Sequence, residues 1–249
     1  MKSVLIAGLS VLATGAAAQD RVLSFDLGVG VESSPSYFGA DDVESGATGT
    51  FGLNRLVLGG LSLGGGDPNG LGFKLGFRYI DERTASDDAE LAGLDDVDES
   101  LELGGGLAYT VLPDGRSQNW GSYTFAEIRY GVVGHESFVA EAGVDLIYKP
   151  SEAWEFRAGP RLFAGDDDYA DTYFSDSRVG YEAEGGLLSG GLEISAGYDF
   201  NDLWGVVATA TYEQLQNDAE DSPIVTADTG SDEQVTVSLV VTRAFSFEF

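Results

Sequence analysis

The sequence predicts an all-β protein: a transmembrane, antiparallel, up-and-down β-barrel with long acidic extracellular loops. Three observations predict it: an export signal, repeated segments that alternate apolar and polar residues, and a last strand that ends in Phe249 with aromatics at Phe247 and Phe245. Such a tail resembles the closing strand of a bacterial outer-membrane barrel. We predict about ten strands, with twelve as the alternative, because single-chain barrels of this type have even strand numbers.

The first residues are typical of a secretory signal. Lys2 precedes an apolar stretch from Val4 to Leu12, and small residues follow as far as Ala18. A membrane-spanning helix needs about 20 apolar residues, so this stretch is too short for an anchor. We therefore predict a signal peptide at residues 1–18, cleaved before Gln19, and a barrel domain at residues 19–249 in the cell outer membrane.

Composition narrows the class of protein further. The 249 residues include 35 Gly, 6 Pro, 14 Phe and 11 Tyr, which suits many strands joined by tight turns. The chain has no Cys, which excludes disulfides, thiol nucleophiles and thiolate metal sites. A formal charge of -29 predicts repulsion of nucleic acid, and of anionic lipid head groups unless cations intervene. The mean hydropathy of -0.04 decides nothing, because lipid-facing and lumen-facing residues average out in a barrel.

Period-two alternation identifies the strands in chain order. In the first strand, Phe25, Leu27, Val29 and Val31 share one face, and Asp26, Gly28, Gly30 and Glu32 share the other. The same pattern recurs at residues 71–79, 101–111, 138–148, 154–162, 192–198, 204–212 and 235–249. Most of these segments are close in length to a tilted spanning strand, which requires about nine to eleven residues.

Two stretches are less regular. Between Gly46 and Leu63 the apolar phase slips near Asn54 and again near Gly59. This pattern predicts either one long bulged strand or a hairpin of two short strands. The run from Tyr123 to Val132 is predicted to change phase near Phe125.

Loop lengths predict the orientation of the barrel. Short links at residues 113–119, 149–153 and 199–203 alternate with long acidic loops at residues 33–45, 81–99, 165–186 and 214–233. Since barrels of this type have short periplasmic turns and longer outer loops, both termini should be periplasmic. Tyr148, Trp154, Tyr198 and Trp204 flank the short turns and are predicted to form a periplasmic aromatic girdle.

Charged residues within the strands nearly all share the face opposite the apolar stripe. They are Lys74, Arg78, Glu102, Glu141, Asp145, Glu155, Arg157, Arg161 and Glu193. A small barrel is filled by side chains and unpaired buried charge is costly, so we predict that these groups pair across the lumen and leave no open pore. Arg243 falls on the apolar face of the last strand, where a bulge, snorkelling or a second subunit would have to accommodate it.

No catalytic, cofactor-binding or metal-binding residue is predicted. Acidic clusters in the outer loops, such as Asp166 to Asp168, could hold divalent cations. None of these clusters has EF-hand spacing, which favours the interpretation of a solvated loop surface.

His135 is the one histidine of the chain and lies in the sequence Gly134-His135-Glu136-Ser137. A Ser, His and carboxylate set could perform acyl transfer, as in some outer-membrane lipid deacylases. Adjacent residues of a strand point to opposite faces, so Glu136 is not expected to orient His135 toward Ser137. We therefore predict that the protein is not an enzyme.

Four sets of loop residues carry a resemblance to a known family. They read P-S-Y-F-G-A-D-D at residues 35–42, G-L-D-D-V-D and L-E-L-G at residues 93–98 and 101–104, D-D-Y-A-D-T-Y-F at residues 167–174, and D-S-P-I-V and G-S-D-E-Q at residues 221–225 and 230–234. Taken in order, they resemble the MltA-interacting protein family, also called MipA/OmpV. The resemblance implies a non-enzymatic structural or scaffolding barrel of the envelope, with a peptidoglycan lytic transglycosylase or a murein synthase as partners.

Two further functions stay open at this point. The charged lumen is compatible with a narrow channel for small-solute uptake. The pair His135 and Ser137 is compatible with a lipid-modifying barrel enzyme. Outer-membrane lipids are expected contacts and nucleic acid is not. Nothing in the sequence identifies the protein partner or the oligomeric state.

Overall fold

The computed structural model describes residues 21–58, 61–64, 69–85, 91–113 and 119–249. The predicted signal peptide, its cleavage point before Gln19 and most of the link at residues 113–119 lie outside the described residues. Within these ranges, no helix has the length and apolar character needed to cross a membrane.

Antiparallel strands form most of the described chain. Their bounds are β1 Val22–Pro35, β2 Val43–Leu58, β3 Leu61–Gly64, β4 Gly70–Ile80, β5 Ser100–Val111, β6 Trp120–Val133, β7 Phe138–Tyr148, β8 Trp154–Gly165, β9 Gly186–Asn201, β10 Trp204–Leu215 and β11 Glu233–Glu248. Helix α1, Asp167–Phe174, lies in the loop between β8 and β9. The all-β prediction is confirmed.

The strands follow an up-and-down order. The sheet reads β3-β2-β1-β11-β10-β9-β8-β7-β6-β5-β4, so the first and last long strands of the chain pair with each other. β3 and β4 run in the same direction, and counted as one interrupted strand they give the predicted 10 strands of a nearly closed barrel. The barrel remains unpaired along a seam between β2 and β4 in the described residues.

The two irregular stretches have different outcomes. β2 is one long strand with a bulge at Asn54, where its register against β1 shifts, and the short β3 follows it. The change of apolar phase near Phe125 is not a break in the strand. The register of β6 against β7 is continuous from Trp120 to Tyr130, and Tyr123 and Phe125 lie on the inner face with Glu127 and Arg129. The inward-facing side chains of Tyr123 and Phe125 account for the change of apolar phase in the sequence.

Much of the buried apolar core lies in the outer loops instead of the barrel interior. One cluster contains Tyr169, Ala170, Tyr173, Phe174, Ala183, Ala219 and Val225 along with Val139, Phe163, Leu188 and Leu215 from strands. A second contains Tyr37, Ala40, Leu91, Leu94 and Ile224. Apolar strand residues, by contrast, are widely exposed on the outside, as a lipid-facing surface requires. The loops therefore pack as a folded unit, here called the lid: residues 36–42, 81–85, 91–99, 166–185 and 216–232.

Candidate functional site

The family-like loop segments converge in the lid. Ser231 N–H donates to the Gly39 carbonyl at 2.7 Å, and Gly39 N–H donates to Gln234 Oε1 at 3.1 Å. Gly39 has a φ of +90°, and a Cβ at this position would lie 2.4 Å from Val225 Cγ2, so only glycine fits. The first and last segments, which are far apart in sequence, are thus joined by backbone geometry.

Helix α1 is the centre of the lid. Asp166 caps it by accepting the Tyr169 N–H at 3.0 Å, and the same carboxylate accepts the Phe138 N–H at 2.7 Å, which ties the helix to β7. At the other end, Ser222 Oγ donates to the Phe174 carbonyl at 2.6 Å. Acidic and hydroxyl side chains of the loops therefore have structural roles.

A buried ion pair fixes the loop after α1. Asp176 accepts from Arg178 Nη2 at 2.7 Å and from Arg178 Nε at 2.9 Å. These hydrogen bonds hold the pKa of the Asp176 carboxyl below its ordinary value, while burial opposes them. Arg178 also donates to the Ala92 carbonyl at 3.2 Å, so this pair connects two loops of the lid.

Beneath the lid, the structure brings His135 and Ser137 into contact. Ser137 Oγ lies 2.5 Å from His135 Nδ1, and the Ser137 backbone N–H donates to the same nitrogen at 3.2 Å. Nδ1 is therefore an acceptor, which leaves the ring hydrogen on Nε2 in a neutral imidazole. Nε2 lies 3.4 Å from Glu102 Oε1. The carboxylate beside the imidazole is thus Glu102 of β5, a residue that the sequence pattern does not connect with His135.

This Ser-His-Glu arrangement is enclosed. Ser137 is 1% exposed, and the rings of Tyr169 and Tyr173 stand edge-on to His135 at centroid distances of 5.1 and 5.8 Å. Ser137 is therefore shielded from solvent in this arrangement. The contacts of His135 with Tyr169 and Tyr173 join the lid to the barrel.

Arg129 is the centre of the charge network below His135. Its Nε donates to Glu102 at 2.8 Å, and its Nη1 donates to Glu141 at 2.8 Å and also to Glu127. Glu127 accepts from Lys74 in addition. Three carboxylates and two cations thus share one network in the upper lumen.

Two smaller groups continue the network toward the periplasm. Arg161 bonds Asp145 and Glu193, each at 2.7 Å. Glu155 accepts from Arg157 at 2.6 Å and from Lys149 at 2.9 Å. The predicted pairing of the lumen charges is confirmed for these groups, but the partners lie on one strand or on strands at most two apart, so these pairs do not span the lumen.

Sequence reasoning missed Glu127 and Arg129. Glu127 and Arg129 alternate with Ala126 and Ile128, as residues on the inner face of a strand do. Phe125 is an apolar residue on the same inner face, and this makes the alternation hard to recognise in the sequence. Phe125 is itself part of the lumen, because Lys74 Nζ lies 4.6 Å from its ring centroid and the Arg161 guanidinium lies 5.3 Å from it.

Two further features of the sequence, its acidic residues and Arg243, can be located in the structure. No three His, Cys, Asp or Glu side chains of the described residues converge as a metal site would require. Arg243 pairs in register with Trp204, and its guanidinium lies 5.0 Å from the Trp204 ring and 4.9 Å from the Phe245 ring. Trp204 begins β10 directly after a short turn, so Arg243 lies at the periplasmic girdle and away from the midplane.

Residues 27–245 match the family described as MltA-interacting protein MipA. The chain belongs to this family. Membership and the barrel fold together support a barrel of the outer membrane. The lid of this MipA-family chain contains most of the family-like residues, whereas residues 101–104 lie in β5 and residues 233–234 in β11.

Several solved structures are similar to this chain at low sequence identity. An outer membrane channel from Pseudomonas putida F1 is 12% identical with a TM-score of 0.48, and the match covers 94% of this chain and 100% of that one. A Pseudomonas aeruginosa FadL homologue is 7% identical with a TM-score of 0.39, covering 90% of each chain. The translocator domain of the Neisseria meningitidis autotransporter NalP is 11% identical with a TM-score of 0.37, covering 94% and 90%. No curated protein matches this sequence.

Proposed function

We propose that this protein is a non-enzymatic structural component of the outer membrane, a plugged barrel that serves as a scaffold for murein-remodelling enzymes. The observation that carries the proposal is the closure of the lumen: an apolar lid covers its outer end, and paired charges occupy its interior. Buried charges held by several partners have little freedom to move aside for a solute.

The periplasmic end is the surface that a murein enzyme can reach. It has a hollow of about 510 Å³ whose lining includes Asp26, Glu152, Asp199 and Asp202. Such a surface favours a partner with a basic patch, because complementary charge accelerates encounter and selects the partner. The family description, MltA-interacting protein, supports a lytic transglycosylase as that partner.

A crosslinking pulldown from outer membranes tests the scaffold. We expect the full-length protein to capture an MltA-type transglycosylase, with recovery that falls as salt rises. The Asp199→Asn/Asp202→Asn variant should recover about tenfold less, a change that corresponds to about 1.4 kcal/mol. The matched control is Glu182→Gln/Glu184→Gln, which removes the same charge from the outer loops. Equal recovery by both variants would contradict periplasmic docking.

A narrow channel is the second candidate function. One observation favours it: Lys74, Glu141 and Glu193 keep side-chain exposures of 25%, 27% and 32%, so the lumen is not completely sealed around them. Planar-bilayer recording of pure refolded protein separates the two candidates. The plugged barrel should give no stepwise current, whereas reproducible unitary steps would support the channel.

A further inference from the structure

The seam between β2 and β4 leaves two strand edges without partners. From Val43 to Asn54, β2 pairs with β1 on one side, and its other edge pairs with none of the described residues. β4 likewise pairs only with β5 in the described part of the chain. Unpaired backbone groups are costly in the hydrocarbon region, so this seam is a weak point of the barrel wall.

A cleft of about 370 Å³ follows this seam and connects two environments. Phe51, Leu75 and Phe77 line it and are exposed on the lipid-facing side. Lys74, Arg78 and Arg129 line its inner side together with Glu127 and Glu141, and these two carboxylates pair with Lys74 and Arg129. The cleft therefore leads from an apolar surface to charged groups of the lumen, among which Arg78 is the cation without an ion pair in the described residues.

Arg78 distinguishes this cleft from the rest of the lumen. Its guanidinium lies 5.1 Å from the Phe38 ring and 5.4 Å from the Phe163 ring, but it has no hydrogen bond or ion pair with any described residue. Lys74, by contrast, already pairs with Glu127. A guanidinium has five N–H donors in a planar fork that matches a carboxylate or a phosphate. Arg78 has Glu102 and Glu213 within Coulombic range, but neither carboxylate accepts a hydrogen bond from it.

A second polar group of the lid is unsatisfied near Arg78. Tyr169 is 1% exposed and its Oη has no hydrogen-bond partner. Burial raises the pKa of Tyr169, and the positive charge of Arg78 is the strongest influence that opposes this rise. An anion bound to Arg78 would bring a hydrogen-bond acceptor into the region where the buried Tyr169 hydroxyl lacks one.

We propose that the seam between β2 and β4 is a lateral binding site for a single-chain anionic amphiphile, whose carboxylate or phosphate binds Arg78 while its chain lies along Phe51, Leu75 and Phe77. This site goes beyond the scaffold function and does not depend on it. The chain would contribute apolar contacts with Phe51, Leu75 and Phe77. The anionic head would supply Arg78 with a hydrogen-bonded partner.

Photocrosslinking tests the site in the full mature protein refolded into detergent micelles. The probes are diazirine-bearing palmitic acid, the corresponding lysophosphatidic acid and the corresponding neutral fatty alcohol. We expect the acidic probes to label peptides from β2 and β4, and the alcohol to label them about tenfold less, the difference expected for one charge-assisted contact. Comparison of the two acids separates a carboxylate ligand from a phosphate ligand. Labelling spread evenly around the barrel would overturn the proposal.

Arg78→Gln should lower acid labelling about tenfold. The matched control is Arg157→Gln, which removes a lumen arginine that already pairs with Glu155 at 2.6 Å and should leave labelling unchanged. Competition on the unmodified protein gives a result even if a variant does not fold. Unlabelled palmitate should displace the palmitic acid probe and hexadecanol should not. Equal competition by both, or full labelling of a folded Arg78→Gln variant, would overturn the site.

Discussion

Arg129 and Glu102 form a fully buried ion pair that links adjacent strands β6 and β5. Arg129 Nε lies 2.8 Å from Glu102 Oε2, and the two side chains are 4% and 0% exposed. Glu102 also faces His135 Nε2, so this pair connects the charge network of the lumen to the anchor beneath the lid. Its loss should affect both parts of the molecule.

The substitution Arg129→Leu should therefore destabilise the barrel strongly. Removal of the guanidinium leaves Glu102, Glu127 and Glu141 without their shared cation, and an uncompensated buried charge costs about 3–5 kcal/mol. Urea unfolding in detergent micelles, followed by the heat-modifiable band on gels, measures the loss. Arg157→Leu is the control, since its side chain is 36% exposed and pairs of that kind contribute about 1 kcal/mol or less. Similar losses in the two variants would argue against a central role for Arg129.

The strands could be predicted from the sequence because one face of each strand contacts lipid and the other does not. This imposes an alternation of apolar and polar residues that a short stretch of sequence is enough to show. Phe25 and Leu27 alternate with Asp26 and Gly28 whatever their neighbours are. The pairing of Glu102 with His135 could not be predicted in this way. It depends on the register of β5 against β6, which shifts between Leu101 and Glu102.

The lid could not be predicted from the sequence, for a different reason. The apolar residues of the outer loops have no regular spacing, so Tyr37 and Ile224 give no sign in the sequence that they pack together. The acidic clusters were read as solvated surface, whereas Asp166 caps a helix and Asp176 is almost completely buried. Loops of this kind are defined by tertiary contacts, which local patterns do not encode.

His135→Ala and Ser137→Ala should leave the lipids of the envelope unchanged. Ser137 is enclosed under Tyr169 and Tyr173, so the pair has a structural role in our interpretation. Mass spectrometry of lipids from cells that express each variant provides the measurement, with the unmodified protein and an empty vector as references. A change in lipid acylation that depends on both residues would instead support the lipid-modifying enzyme.

The same His135→Ala variant should be less stable, because it leaves Glu102 Oε1 beside a cavity and Ser137 without its partner. Loss of one buried hydrogen-bonded group typically costs about 1–3 kcal/mol. Protease resistance of the lid should fall before the barrel unfolds, since β6 and β7 stay paired with each other. Simultaneous loss of the lid and the barrel would contradict this order.

The lid should loosen in acid through Asp176. Its folded-state pKa is depressed by Arg178, so it stabilises the lid fully above the unfolded pKa of about 4 and loses this contribution as pH falls through the folded value. Pepsin cleavage within residues 175–185 should therefore increase as the pH drops below about 4. Asp176→Asn should be cleaved faster above about pH 4, approach the unmodified protein at lower pH, and show a smaller pH dependence. An unchanged dependence in that variant would assign the acid response to other carboxylates.

Arg243→Leu should change stability by less than about 1 kcal/mol, because leucine suits the lipid face and the lost contact with Trp204 is of that size. The informative control is Leu239→Arg, which places a cation on the same face of β11, four residues farther from the periplasmic girdle and nearer the midplane, where it costs about 2–4 kcal/mol. Urea unfolding of both variants in lipid vesicles measures the difference. Sedimentation of the Arg243→Leu protein tests self-association at the same time, and an unchanged mass is expected because Trp204 and Phe245 of the same chain already contact the guanidinium. A large loss of stability together with a smaller mass would show that Arg243 belongs to a subunit interface.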